Sequence, residues 1–179
     1  MMQQHTRPGD SVGTGALHVE VCQPPSHHLA QLNVSRMLDT IDSPRLVEFK
    51  ANIDRVYAIA ERFPGFVWRL KEETYNLDSI LPTPDPLFLI NLSIWETPAQ
   101  LEQFVWTTLH KRFYQKKSAW FEPLKGAHFV MWWIVQGHLP TPVEALNRLA
   151  YLRMHGPSQH AFGWANLPGL PLWRSQRCT

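Results

Sequence analysis

The sequence predicts an α+β domain built on an antiparallel sheet. One strand shows this best, because Asn91, Ser93 and Trp95 alternate with Phe, Ile, Leu and Ile, the period-two pattern of a half-buried strand. An apolar stripe at steps of three and four residues over 44–63 indicates an amphipathic helix. A capping box over 141–144, with proline at the first helical position, begins another helix. Such mixtures of strands and amphipathic helices are typical of sandwiches in which helices pack on a sheet.

The first half of the chain predicts a tail followed by strand, helix and strand. Residues 1–26 show little periodicity and indicate a flexible tail, with at most a short strand near Leu17–Cys22. The alternation over His28–Arg36 predicts the first strand. The helix over 44–63 follows, and a Pro-Gly pair separates it from a strand over Phe66–Glu72.

The second half repeats this alternation after a loop over 73–86, which contains three prolines. The strand centred on Asn91 leads into a helix from Pro98 to about Leu109, and a second helical piece continues to Phe121. The remaining predicted elements are a strand over His128–Gln136, a helix over 142–155 and a short edge strand over Ala161–Trp164.

The predicted order of strand, helix, strand, strand, helix, strand is that of a ferredoxin-like βαββαβ sandwich with an extra C-terminal helix. We expect one domain over 27–164 and a tail over 165–179. Two helices cover only one face of a four-stranded sheet, and eight tryptophans are many for one chain. The second face is therefore expected to pack against another copy, as a homodimer that forms a dimeric α+β barrel.

Composition excludes several classes of function. A net charge of +2 over 179 residues, with scattered basic residues, argues against a nucleic-acid partner. Neither a membrane-spanning apolar run nor a signal peptide is indicated, so we expect a cytoplasmic protein. Cys22 and Cys178 form neither a disulfide framework nor a metal pair, and no metal site is predicted from ligand spacing. Phosphate-loop, nucleophile-elbow and zinc-protease motifs are also absent from the sequence.

One face of the predicted sheet has the composition of a ligand pocket. Asn91, Ser93 and Trp95 share a face, and we place Asn33 of the first strand there because buried amides need hydrogen-bond partners. Such a wall suits a small-molecule ligand with a polar head. The predicted cavity lies between the sheet and its own helices and is lined by Asn33, Trp68, Asn91, Ser93, Trp95, Trp106, His110 and Trp133.

His110 is the candidate catalytic residue. On a continuous helix Trp106, His110, Phe113 and Lys117 share one flank, where a cleft opens between helix and sheet. Imidazole titrates near neutrality, so it can take a proton, donate a hydrogen bond or bind a metal. The alternative is a structural histidine whose ring is satisfied by a carbonyl group or water.

Several segments resemble a known family. They include His28-Leu-Ala-Gln-Leu-Asn33, Pro64-Gly-Phe-Val-Trp-Arg69, Asn91-Leu-Ser-Ile-Trp-Glu96 and Trp132-Trp133. Together they resemble the domain of unknown function 3291 over about 28–164. That family looks like a branch of the dimeric α+β barrel superfamily, which also holds antibiotic-biosynthesis monooxygenases, haem-degrading monooxygenases and stress-response barrels. The resemblance implies a fold and a pocket.

The resemblance also bears on single residues. Family members usually carry an Arg seven residues after the histidine that matches His110, and this chain has Lys117 there. An Arg can hold a carboxylate with two parallel hydrogen bonds, whereas Lys117 offers a point charge to a substrate. Asn33, Trp95 and His110 also follow one another in the order in which haem-degrading relatives present their Asn, Trp and iron-binding His.

Three functions stay open. The first is a monooxygenase-like enzyme that acts on an aromatic or polyketide-like substrate and uses O2 without a cofactor. The second is a haem-binding or haem-degrading protein with His110 as axial ligand. The third is a ligand-binding or stress-response barrel without catalysis.

Overall fold

The computed structural model describes residues 19–71 and 85–176, without the side chains of Leu109, Phe113 and Gln176. Residues 1–18 of the predicted N-terminal tail and 72–84 around the predicted loop lie outside the described residues. The strands are β1 (His27–Arg36), β2 (Phe66–Arg69), β3 (Phe88–Trp95) and β4 (Phe129–Val135). The helices are α1 (Val47–Glu61), α2 (Pro98–Thr107), α3 (Leu109–Trp120), α4 (Pro142–His155) and α5 (Pro171–Gln176), with short 3-10 turns at Pro44–Leu46 and Trp164–Asn166.

The four strands form one antiparallel sheet in the order β2-β3-β1-β4. This confirms the predicted α+β class with a four-stranded antiparallel sheet. The register pairs Gln31 with Ser93 and Asn33 with Asn91, so the polar residues of β1 and β3 lie side by side on one face. The intervening residues of both strands, among them Leu32 and Leu92, face the opposite side.

The two faces pack against different helices. Leu29 and Trp95 share a core with Val56 of α1 and Phe104 of α2. On the other face Leu32 and its neighbours share a core with two buried α4 residues, Ala145 and Leu149. The prediction of a second face without a helix is thus wrong for part of the sheet, because α4 contacts β1 and β4 there.

The two predicted helical pieces, α2 and α3, meet at Thr108, so the continuous helix assumed for the flank of Trp106, His110 and Lys117 is interrupted there. The backbone of Thr108 is extended, with φ −106° and ψ −173°. Its hydroxyl donates to the Phe104 carbonyl at 2.6 Å and accepts from the His110 backbone N–H at 3.2 Å. The same residue therefore ends α2 and caps α3, which places His110 in the first turn of α3.

Both predicted tails contribute to the packed structure where they are described. Val21, Leu167 and Leu170 are buried in the core that contains α2. The Val21 backbone N–H donates to the Asn166 carbonyl at 2.8 Å. Glu102 of α2 accepts the Trp173 backbone N–H at 2.8 Å and so joins α5 to the domain. In place of the expected edge strand, Ala161 and Phe162 form isolated bridges. The packed structure continues beyond the expected boundary at 165 through a 3-10 turn and α5.

No helix within the described residues combines the length and the apolar character that crossing a membrane requires.

Candidate functional site

Two adjoining cavities lie between the polar face of the sheet and helices α1, α2 and α3. The first cavity has a volume of about 520 Å³ and the second about 280 Å³. Asn33, Asn91 and His110 line both. The first is bordered by apolar residues of α1 and by the residues after α3; the second is bordered mainly by aromatic rings of β3, α2 and the C-terminal segment.

A hydrogen-bonded polar network forms the floor of the second cavity. The Gln31 amide donates to the Ser93 hydroxyl at 2.7 Å and to the Asn91 side-chain oxygen at 3.3 Å. The Trp95 indole N–H donates to the same hydroxyl at 3.0 Å. Gln31 and Ser93 are both buried, so these bonds repay much of the cost of removing their polar groups from water. The floor is therefore a preorganised polar surface at the base of an apolar cavity.

His110 lies where the two cavities meet. Its Nδ1 is buried and has no hydrogen-bond partner among the described residues. Burial lowers the pKa of His110 from 6.5 to about 4, and a backbone interaction with Val105 opposes the shift. The imidazole is therefore neutral at pH 7. In that form one ring nitrogen donates a hydrogen bond and the other accepts one or binds a metal.

The other predicted residues on helices also line the cavities. Trp106 lines the second cavity, and its ring packs edge-on against Tyr114 with centroids 5.1 Å apart. Lys117 lines the first cavity, and its ammonium lies 4.0 Å from the centre of the Tyr114 ring. A lysine in this position supplies one positive charge, without the paired donors of an arginine.

Trp68 and Trp133 line neither cavity, contrary to the sequence-based placement. A register shift between Phe66 and Trp68 sends the two side chains to opposite faces, so that Phe66 contacts Trp95 while Trp68 packs in the core with Ile94. Trp133 lies on the polar face but near the end of β4, where it pairs with Leu29 and packs against Phe162. The remaining predicted residues, Asn33, Asn91, Ser93, Trp95, Trp106, His110 and Lys117, line at least one cavity.

Several cavity residues were absent from the predicted site. Gln31 has the same alternation signal as Asn33, and Tyr57 belongs to the apolar stripe of α1, so both were accessible to sequence reasoning. Trp164 and Trp173 had no local signal, because they come from a segment predicted to be an edge strand and a tail. The other unpredicted members that carry polar or aromatic groups are Phe66, Arg69, Phe104, Tyr114, His128 and Phe129.

Two histidines, His110 and His128, line both cavities and are candidate ligands for iron. Within residues 19–71 and 85–176, no group of three His, Cys, Asp or Glu side chains is placed to hold a metal ion. A haem needs only one axial histidine from the protein, and neutral His110 has the right chemistry for that role.

Comparison with known proteins gives one finding. Residues 28–177 match the protein family described as a domain of unknown function (DUF3291). Neither the curated proteins nor the solved structures contain a match. The family match includes all four strands, the helices that border both cavities and the C-terminal segment with its two tryptophans, apart from the first residue of β1. The chain therefore belongs to the DUF3291 family.

Proposed function

We propose that the protein binds a small, largely apolar molecule in the two cavities and acts on it as a monooxygenase-like enzyme. The observation that carries this proposal is the position of His110, a neutral buried imidazole where the two cavities meet, beside the hydrogen-bonded floor of the aromatic one. Ligand sites commonly combine apolar walls with a few convergent polar groups. The substrate class we propose is aromatic or polyketide-like, and the reaction uses O2 without a bound cofactor.

His110 has a defined part in the proposed chemistry. In the ligand-free cavity, burial favours the neutral ring, which makes it a weak base. A substrate hydroxyl that loses its proton beside the ring leaves an anion, and that anion stabilises the imidazolium by opposite charge. Proton transfer inside the cavity therefore produces an ion pair, and the electron-rich substrate anion is the species that reacts with O2.

The test compares His110→Ala with His155→Ala. His155 lies in the last turn of α4, is exposed and lines neither cavity, so its loss controls for removal of a histidine. We expect His110→Ala to weaken binding of aromatic ligands, measured by calorimetry with a panel of hydroxylated polycyclic compounds, and His155→Ala to leave it unchanged. If His110→Ala has a lower melting temperature than the wild type but the same affinity for the ligands, His110 has a structural role instead.

Haem binding remains the second candidate function, favoured by the same neutral imidazole. A titration with haem separates it from the first proposal. A Soret band that appears in the wild type and disappears in His110→Ala supports axial ligation by His110. Absence of the band, together with oxygen consumption on a hydroxylated aromatic compound, supports the monooxygenase-like function. Ligand binding without turnover supports the non-catalytic barrel.

We also propose the ferredoxin-like arrangement and a homodimer of the barrel type. The part of the second sheet face away from α4 carries Trp68, Leu70 and Phe88, all partly exposed. These residues are the proposed contact between two copies, because apolar side chains at a twofold interface are buried by their equivalents. Sedimentation of Trp68→Glu should show a monomer, while the wild type sediments as a dimer.

The control for the dimer is Met154→Glu. Met154 is a 76% exposed apolar residue of α4, the helix that covers the rest of this sheet face. Its substitution therefore tests whether the two copies meet through α4 instead. If Met154→Glu dissociates the dimer and Trp68→Glu does not, the two copies meet through α4.

A further inference from the structure

Building on the ligand-binding function proposed above, we propose that the ligand is an uncharged aromatic molecule whose carbonyl oxygen accepts a hydrogen bond from the Trp106 indole in the second cavity. Four observations about this cavity support that choice.

The Trp106 indole has a donor without an acceptor. Trp106 is 8% exposed, and its Nε1 has no hydrogen-bond partner among the described residues. An indole N–H can only donate, so an oxygen acceptor is the partner it lacks. Leaving such a donor buried and unpaired is unfavourable. A ligand that supplies the acceptor recovers part of that cost.

A second buried polar atom without a partner belongs to His110, four residues further along the chain. Trp106 precedes the break at Thr108 and His110 follows it, and both side chains line the second cavity. Neither Trp106 Nε1 nor His110 Nδ1 has a partner among the described residues. Both atoms are buried in the ligand-free structure, so the proposed hydrogen bond requires a local shift that brings the indole N–H to the cavity surface. His110 lines the same cavity and is a second polar group within it.

The walls of the second cavity favour a planar ligand. Aromatic rings pack on one another in offset or edge-to-face arrangements, and a bound aromatic ring can join such a cluster. Trp95 and Phe104 already stack, with centroids 5.1 Å apart. The aromatic lining residues are Tyr57, Phe66, Trp95, Phe104, Trp106, Tyr114, Phe129, Trp164 and Trp173.

The charges around the second cavity favour an uncharged ligand. Arg69 is the one lysine or arginine among its lining residues, and its guanidinium is already engaged. It donates to Glu61 at 2.8 Å and lies 4.0 Å from the centre of the Tyr57 ring. A ligand carboxylate would therefore be removed from water without a free counter-charge, which is strongly unfavourable. A carbonyl oxygen accepts the same hydrogen bond at far lower cost.

Trp133 provides a matched control for Trp106. Its indole Nε1 is also buried without a partner among the described residues, but the side chain lines neither cavity. Trp106→Phe and Trp133→Phe each remove one unpaired N–H and keep an aromatic ring. Their effects on folding should be similar, and only Trp106→Phe should change ligand selection.

The experiment measures binding of three matched probes by calorimetry: acetylnaphthalene, ethylnaphthalene and naphthoate. The wild type should bind acetylnaphthalene about three- to tenfold more tightly than ethylnaphthalene, the range expected of one neutral hydrogen bond. Trp106→Phe should remove this preference, Trp133→Phe should retain it, and naphthoate should bind most weakly. Near-ultraviolet circular dichroism checks that both variants keep their packing.

Each contrary result has a different meaning. Equal binding of acetylnaphthalene and ethylnaphthalene by the wild type, or equal loss of preference in both variants, overturns the role of Trp106. Tighter binding of naphthoate overturns the uncharged ligand. If none of the three probes binds the wild type, the proposed aromatic ligand function fails together with this inference.

Discussion

The two faces of the sheet are made by the same strands and yet differ in polarity and in how closely they are packed. The face toward α4 carries aliphatic side chains such as Leu32, Leu92 and Ile94, each at most 1% exposed. The face toward α1 and α2 carries Gln31, Asn33 and their cross-strand partners, with two cavities above them. Hydrocarbon surfaces can interdigitate without gaps, whereas amides and hydroxyls must keep partners in hydrogen-bonding geometry. The face toward α4 is therefore closely packed, whereas the face toward α1 and α2 combines a core of its own with two cavities.

On the polar face, a few side chains satisfy one another's hydrogen bonds. Ser93 accepts from both Gln31 and Trp95, so one hydroxyl satisfies two buried donors. Asn33, Ser35 and Asn91 also lie on that face, are only partly buried, and each border at least one cavity.

The largest expected effect comes from the aliphatic face. Leu32→Ala should lower the free energy of unfolding by about 2–5 kcal/mol, because it leaves a cavity in a close-packed core. Asn33→Ala, one residue along and on the other face, should cost less than about 1 kcal/mol, because Asn33 already borders empty space. Urea denaturation measures both. Similar losses for the two variants would contradict the division between a closely packed face and a face that borders cavities.

The second prediction concerns how the stability of the protein depends on pH through His110. The pKa of His110 is about 4 in the folded protein and near 6.5 when unfolded, so the unfolded chain takes up the proton first as pH falls. The stabilisation from neutral His110 is fully present above pH 6.5 and is lost as pH falls toward 4. The wild type should lose about 3 kcal/mol over this interval relative to His110→Gln.

Urea denaturation of both proteins from pH 7.5 to about 4 measures this difference. Asp85→Asn serves as the control, because the pKa of Asp85 is held below its usual 3.8 chiefly by a hydrogen bond from Arg36. Its contribution is lost only below that range. Parallel curves for the wild type and His110→Gln would show that the imidazole is not held neutral by burial.

The smallest expected effect comes from the polar network. Ser93→Ala should lower the free energy of unfolding by about 1–3 kcal/mol, because the buried donors of Gln31 and Trp95 lose a shared acceptor. Ser118→Ala, at an exposed position on α3, should change stability by less than about 0.5 kcal/mol. Thermal and urea unfolding measure both changes. A neutral Ser93→Ala would mean that the two donors find other acceptors readily.

Elements with strong local signals were predicted closely. The helix over 142–155 matches α4 in both bounds, because Thr141 caps its first turn and Gly156 ends it with φ 77°. Period-two alternation put Asn91 and Trp95 on one face, and the need of buried amides for partners put Asn33 there too; both agree with the register of β1 and β3. Helix bounds and alternation within a strand depend on neighbours within a few residues, and there the sequence was sufficient.

Features that depend on long-range packing were predicted poorly. Trp68 was placed on the pocket side because alternation extends through β2, but the register shift against β3 turns it to the other face. The segment after 164 was taken for a tail, yet Glu102 and the apolar core hold it beside α2. The contact between Glu102 and Trp173 joins residues about 70 positions apart in the chain, and no local sequence pattern predicts it.

The sequence by itself determined the α+β class, most of the strands and helices, and that Asn33, Asn91, Ser93 and Trp95 lie in the wall of the site. Strand alternation, the apolar stripes of helices and helix caps are local patterns, so short segments of sequence are enough to identify them. Tertiary structure alone decided which sheet face α4 covers, that Trp164 and Trp173 complete the second cavity, and that His110 lies neutral between the two cavities. Burial and hydrogen-bond satisfaction depend on every element packed around a group, and that environment exists only once the chain has folded.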